Sequence, residues 1–210
     1  MIRAVLVPLA FSVIVVISPP HASAEGGKCA AAGRGIYNFQ LTLPPRPVRQ
    51  VPFVEGADTA RTIADYRGRA VVLNFWATWC APCVREMPSL DRLQAEMSGE
   101  GIEVLTLSVD RGGAPVIERF HKKLGIRNLP VLVDKRGEVL RKLRVRGLPT
   151  TLLIDARGNE VGRVIGPAEW DSPEAIALVR GCLGPVPQDR RPGAEKALER
   201  RGHEGRGDAG

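Results

Sequence analysis

Two cysteines separated by two residues, Cys80 and Cys83, follow the apolar run Val71-Val72-Leu73-Asn74-Phe75. A continuous apolar run of this kind reads as a strand covered on both faces, the pattern of an α/β sheet. Beyond the pair, Met87, Leu90, Leu93 and Met97 recur at steps of three and four, which predicts an amphipathic helix. The cysteines therefore mark a strand-to-helix junction. The free N–H groups of a first helical turn and the positive end of its dipole stabilise a thiolate there. Such placement lowers a cysteine pKa from about 8.5 into the range of roughly 3.5–7.5. One turn of separation lets the second sulfur close a ring on the first. The spacing alone admits a redox pair or half of a metal site. Zinc needs two further ligands, and the chain has no second Cys-x-x-Cys and no closely spaced pair of histidines, so no metal is expected.

The rest of the chain alternates strands with helices around this junction. Val51–Ile63, with a turn at Gly56-Ala57-Asp58, predicts a small hairpin, and Ala70–Trp76 the first strong strand. Pro88 falls inside the helix after Cys83 and should kink it, since its ring removes a backbone donor. Ile102–Val109 is a buried strand with Asp110 at its end, and Pro115 opens a helix carrying Ile117, Phe120 and Leu124 on one face. Pro130–Asp134 predicts a short strand and Glu138–Leu143 a helical turn or two. Thr150–Asp155 and Glu160–Ile165 form a hairpin across Ala156-Arg157-Gly158-Asn159, and Ser172-Pro173-Glu174 caps a final helix ending near Leu183. This order predicts an α/β fold with a central sheet covered on both faces. The domain is expected over residues 51–183. Residues 25–50, rich in Ala, Gly, Pro and Arg without periodicity, read as a linker or arm, and residues 184–210 as a disordered tail.

Residues 1–24 read as an export signal. Arg3 supplies a basic start, Ala4–Ile17 an apolar core and Ala22-Ser23-Ala24 a small-residue cleavage site. The core is shorter than the ~20 residues of a membrane span and contains Pro8, so cleavage is favoured over retention as an anchor. Either way the expected location is the periplasm, where disulfides persist. Cys29 and Cys182 would then be free to pair, tying the N-terminal arm to the last helix. Cys182 also fits the apolar face of Ala175 and Val179 as a buried free thiol, so both readings stand. The net charge of +7 is spread out, without a dense basic block interleaved with aromatics; a solvated surface is expected rather than a nucleic-acid partner.

Trp79-Cys80-Ala81-Pro82-Cys83, together with Pro149 in the Arg-Gly-Leu-Pro-Thr context of residues 146–150, resembles the thioredoxin superfamily. Asn74 before Phe75-Trp76-Ala77-Thr78-Trp79, and Glu86-Met87-Pro88 after the pair, resemble its exported TlpA/ResA branch. The run Leu148–Asp155 and Gly166-Pro167-Ala168-Glu169-Trp170 are similar to the TlpA side of that branch. The resemblance covers roughly residues 50–183. It implies a thioredoxin-like fold, a mixed central sheet flanked by helices, with an N-terminal hairpin extension and an αβ insertion before the proline loop. It further implies thiol–disulfide chemistry outside the cytoplasm, usually reducing, without a cofactor. The implied partners are exported proteins carrying disulfides, which mature cytochrome oxidase copper sites or cytochrome c, and an upstream membrane dithiol donor. Membrane contact of the chain itself follows only if the signal segment is retained.

In this frame Cys80 is the attacking thiolate and Cys83 the resolving thiol, and Pro82 restrains the loop between them. The resemblance implies a cis bond at Pro149, facing the cysteines and letting Leu148 present its backbone to an extended substrate segment; an ordinary trans turn proline is the alternative. Asn74 stands where thioredoxin carries a buried carboxylate. Glu86, three residues past Cys83, is either a proton relay or a solvated helix carboxylate. Trp79 and Trp76 are expected at the apolar rim of the site, with Trp76 alternatively in the core. His121 is expected at the surface and His203 in the tail. A disulfide oxidant or isomerase and a copper-binding chaperone are the competing functions. Ala-Pro between the cysteines speaks against the first, and the lack of a wider cysteine spacing with a distal histidine against the second.

Overall fold

The computed structural model describes residues 28–184, so the expected export segment, the tail beyond residue 184 and His203 lie outside the described residues. Its strands are β1 (Phe39–Pro47), β2 (Phe53–Glu55), β3 (Thr59–Arg61), β4 (Ala70–Trp76), β5 (Ile102–Ser108), β6 (Leu132–Val133), β7 (Thr150–Ile154) and β8 (Asn159–Ile165). The helices are α1 (28–33), α2 (Ala81–Met97), α3 (Ala114–Leu124), α4 (Glu138–Lys142) and α5 (Pro173–Leu183). The strands make one mixed sheet in the order β1-β8-β7-β4-β5-β6-β2-β3. β4 runs parallel to β5 and antiparallel to β7, so the C-terminal ends of β4 and β5 and the N-terminal end of β7 meet at one edge of the sheet. No helix among the described residues is long and apolar enough to cross a membrane.

β4 is buried along its whole length because both faces of the sheet are covered. Val72 and Trp76 point into a core shared with Met87, Leu90 and Leu93 of α2 and Leu178 and Val179 of α5. Val71, Leu73 and Phe75 point the other way, onto Leu105, Leu107, Val139 and Leu143. Each fully buried side chain of this size stabilises the fold by about 1.5–3 kcal/mol, which anchors the central strand between the two layers. α2 runs on through Pro88 to Met97, and α5 starts at Ser172, whose hydroxyl accepts the Ala175 N–H as expected.

Residues 28–50 are not an arm. They form α1 and β1, and β1 pairs with β8 at the sheet edge, Phe39 opposite Val164 and Arg46 opposite Glu160. The domain therefore begins well before residue 51. The sequence signal is weak because the contacts are pairwise rather than periodic. A Cβ at Gly33 or Gly162 would lie 2.1 Å or 2.5 Å from the Phe39 ring, so only glycine on both sides lets that ring in. Cys29 of α1 is bonded to Cys182 of α5, closing the covering layer covalently.

A buried carboxylate ties β1 to the loop before Pro149. Glu160 accepts from Arg163 Nε at 2.6 Å and from an Arg46 guanidinium nitrogen at 2.8 Å. Arg163 in turn donates to the Leu143 and Arg144 carbonyls. Burial works to raise the Glu160 pKa, but the hydrogen bonds from Arg163 and Arg46 outweigh it and hold the group below the usual carboxylate range. A depressed folded-state pKa contributes stability above the unfolded value that is lost as pH falls through the folded one. Glu160→Ala is therefore expected to cost about 2 kcal/mol at pH 7. In urea unfolding series the gap between wild type and variant should close as the pH is lowered below the ordinary glutamate range.

Candidate active site

β4 ends at Trp76 and α2 begins at Ala81, leaving four residues to turn the chain. A second strand holds that turn. Asp110, just past β5 and buried, accepts the Thr78 N–H at 2.8 Å, the Thr78 hydroxyl at 2.8 Å and the Ser108 hydroxyl at 2.8 Å. The Val109 N–H adds a bond to the Trp76 carbonyl at 3.0 Å. From the sequence alone Asp110 reads only as a strand boundary. Its position at the end of a strand parallel to the one bearing the cysteines was the available signal.

The turn delivers Cys80 to the N-cap of α2. Its sulfur accepts the Cys83 N–H at 3.4 Å, and it is bonded to Cys83 in a disulfide. Cys80 keeps 7% of its surface exposed and Cys83 none, so a partner reaches Cys80 first. Pro82 lies in the first turn, where its missing N–H leaves no helical bond unmade. Trp79 is 71% exposed beside the pair, whereas Trp76 is fully buried against Phe120 and His121 and belongs to the core. His121 is correspondingly not a surface residue: it is buried, and burial pushes its pKa down.

Leu148–Pro149 is a cis peptide bond at the start of β7. The Thr150–Phe75 register places Pro149 at the sheet edge where β4 runs out toward Cys80. Thr150 fixes the loop by donating its hydroxyl to the Gly147 carbonyl at 2.8 Å, and the Pro149 carbonyl accepts the Gly166 N–H at 2.9 Å. Leu148 is half-buried.

Glu86 is not a solvated helix carboxylate. It is 2% exposed, on the α2 turn after Cys83, and accepts from Asn74 Nδ2 at 2.7 Å, the Ala168 N–H at 3.2 Å and Trp170 Nε1 at 3.3 Å. Asn74 lies on the sheet face that meets α2 and also donates to the Thr151 hydroxyl. Burial pushes the Glu86 pKa up to about 7, despite the three donors, all of which favour the charged form. A carboxyl poised there can hold or release a proton near neutrality one helical turn from Cys83.

Comparison with known proteins agrees with this fold. Residues 37–160, more than half of the chain, match the family model described as the AhpC/TSA family. A thiol-disulfide oxidoreductase ResA of Bacillus thuringiensis subsp. konkukian is 36% identical over 145 residues, 66% of this chain and 82% of that protein. A ResA of Geobacillus kaustophilus is 42% identical over 105 residues, 49% of this chain. The chain spans little more than half the length, 58%, of that second relative. Among solved structures, an exposed lipoprotein thioredoxin of Streptococcus pneumoniae strain TIGR4 superposes with a TM-score of 0.51 at 31% identity. That match covers 59% of this chain and 93% of the other.

The raised pKa of Glu86 has a definite sign. A carboxyl that ionises harder when folded is most favourable to stability below the unfolded value of 4.5, and that contribution is lost as pH rises through about 7. Urea unfolding of the oxidised protein is expected to show stability falling between pH 5 and pH 8, by roughly 3 kcal/mol at most. Glu86→Gln should flatten that window.

Proposed function

The chain belongs to the AhpC/TSA family of thioredoxin-like proteins, and from that premise we propose that it is an exported thiol:disulfide oxidoreductase that reduces disulfides in client proteins. The observation that carries the reading is the Cys80–Cys83 disulfide at the start of α2, at the same sheet edge as the Leu148–Pro149 loop. In the dithiol form the Cys80 thiolate attacks one sulfur of a client disulfide. A mixed disulfide forms between Cys80 and the client, and the other client sulfur leaves as a thiolate. Cys83 then gives up its proton, for which Glu86 is the nearby buried acceptor, and attacks the Cys80 sulfur. The Cys80–Cys83 bond forms and the second client sulfur departs, so the client gains two electrons and the protein loses two. The α2 N-terminus stabilises the charge on Cys80 in the dithiol form, before it attacks. An extended client segment lying along the Leu148 backbone would bring its disulfide to the exposed side of Cys80, with Trp79 as an apolar contact.

The clients fitting this reading are exported proteins that mature cytochrome oxidase copper sites, or alternatively cytochrome c. A membrane dithiol donor would return the pair to its reduced form. The sequence features Asn74, Glu86-Met87-Pro88 and Gly166–Trp170, similar to the TlpA/ResA branch, support that choice, while the name of the relatives supports the thiol–disulfide chemistry. Redox titration of the Cys80/Cys83 pair tests the direction. A potential near −270 mV is expected for a reductant, and one near −120 mV would instead assign an oxidant. Cys83→Ser, which blocks resolution, should accumulate a mixed disulfide through Cys80 with an exported client. Capture of no exported protein would contradict the client class.

A further inference from the structure

A cleft of about 570 Å³ opens beside the loop that leads into Pro149. One wall is β1, whose register with β8 breaks between Leu41 and Arg46, so that residues 42–45 leave the ladder. Arg144, Arg146 and Gly147 also line the cleft. Its floor includes Arg163, on the sheet face opposite Val164, which packs with α2 and α5. Gly147 is followed at once by Leu148 and Pro149, so the cleft continues the segment that would present its backbone to a client.

The charge in this cleft is unbalanced. Arg46 and Arg163 share the single carboxylate of Glu160. The side chains of Arg144 and Arg146 are exposed and have no hydrogen bond or ion pair among the described residues. Four arginines thus line the cleft and only two of them are bonded to the one buried carboxylate, leaving an excess of three positive charges in a concave site. Arg144 also holds φ 57, a left-handed conformation that favours glycine, while Arg163 donates to its carbonyl. A cation therefore occupies a backbone position that glycine would fill at lower cost. Leu43, 62% exposed, and Ile165, 45% exposed, add apolar surface to the rim.

We infer that this cleft is a client-docking subsite for an acidic polypeptide stretch flanking the client's cysteine pair, and that Arg144 and Arg146 select such clients. The inference rests on the proposed thiol–disulfide exchange. Guanidinium groups bind carboxylates through paired N–H donors, and unpaired ones in a recess lose less to solvent than those on an open face. A chain lying along Leu148 would carry its flanking residues straight into the cleft. The recessed site suits side chains of a bound polypeptide better than a flat anionic lipid surface.

The test uses the full chain and two oxidised peptides with the same cysteine pair, one flanked by Glu and the other by Gln. The readout is the ratio of their kcat/KM values. A ratio of about fivefold in favour of the Glu peptide is expected at low ionic strength, shrinking as salt is added. Arg144→Gly combined with Arg146→Gln should bring the ratio to about one. Because glycine relieves the left-handed backbone, Arg144→Gly on its own should keep or raise the melting temperature. A ratio near one in the wild type, or an unchanged ratio in the double variant, would overturn the inference. Exchange with the Gln peptide by the wild type reports separately on the underlying chemistry; its absence would overturn the proposed function and the subsite with it. Sedimentation with phosphatidylglycerol vesicles that depends on the two arginines, beside a peptide ratio near one, would assign the cleft to a membrane surface and overturn a polypeptide occupant.

Discussion

Cys80 as the N-cap of α2, just beyond a strand buried on both faces, is the constraint around which the rest of the molecule is arranged. A thiolate gains from a helix N-terminus only if the sulfur is held over the first-turn N–H groups, and those groups point at it only if the incoming chain is fixed. β4 fixes it from behind through seven buried residues. Asp110 fixes it from the side by taking both the N–H and the hydroxyl of Thr78. The two sulfurs thereby become unequal, since Cys80 faces outward at the cap while Cys83 is sealed beneath it. Directional exchange needs that inequality: one sulfur must meet the client and the other must wait.

Glu86 is the second consequence of the same placement. A carboxyl one turn beyond Cys83 on a helix packed against the sheet is almost wholly buried, so its ionisation is set by burial and by three donors. Asn74 contributes one from β4, and the segment before α5 contributes two through Ala168 and Trp170. That segment is itself held to α2, where Ser89 Oγ accepts the Trp170 N–H and donates to the Glu86 carbonyl. The surroundings of this carboxyl are thus built by three separated parts of the chain closing on one helix turn. Glu160 works in the opposite sense. Its two arginine partners keep it charged, and their bonds hold the loop before Pro149 against β1.

What could be read in the sequence was whatever a local rule specifies. The apolar run marked β4 to the residue, the Ser-Pro-Glu cap found the start of α5, and the cysteine spacing with Pro149 pointed to the end of the sheet where β4 leads to Cys80 and β7 begins. What could not be read depended on contacts between distant residues. Residues 28–50 look like an arm because their place in the sheet rests on Phe39 entering gaps left by Gly33 and Gly162, and on Cys29 meeting Cys182. Glu86 looked equally like a surface carboxylate, because helical spacing says nothing of Trp170. His121 sat at the margin of an apolar helix face, and only the ring of Trp76 stacked beside it makes it a core residue.

Limited alkylation of the reduced protein tests the inequality of the two sulfurs most directly. With iodoacetamide at less than one equivalent, followed by peptide mapping, label is expected on Cys80, with Cys83 protected until unfolding. Equal or preferential labelling of Cys83 would contradict the assignment of attacking and resolving thiols.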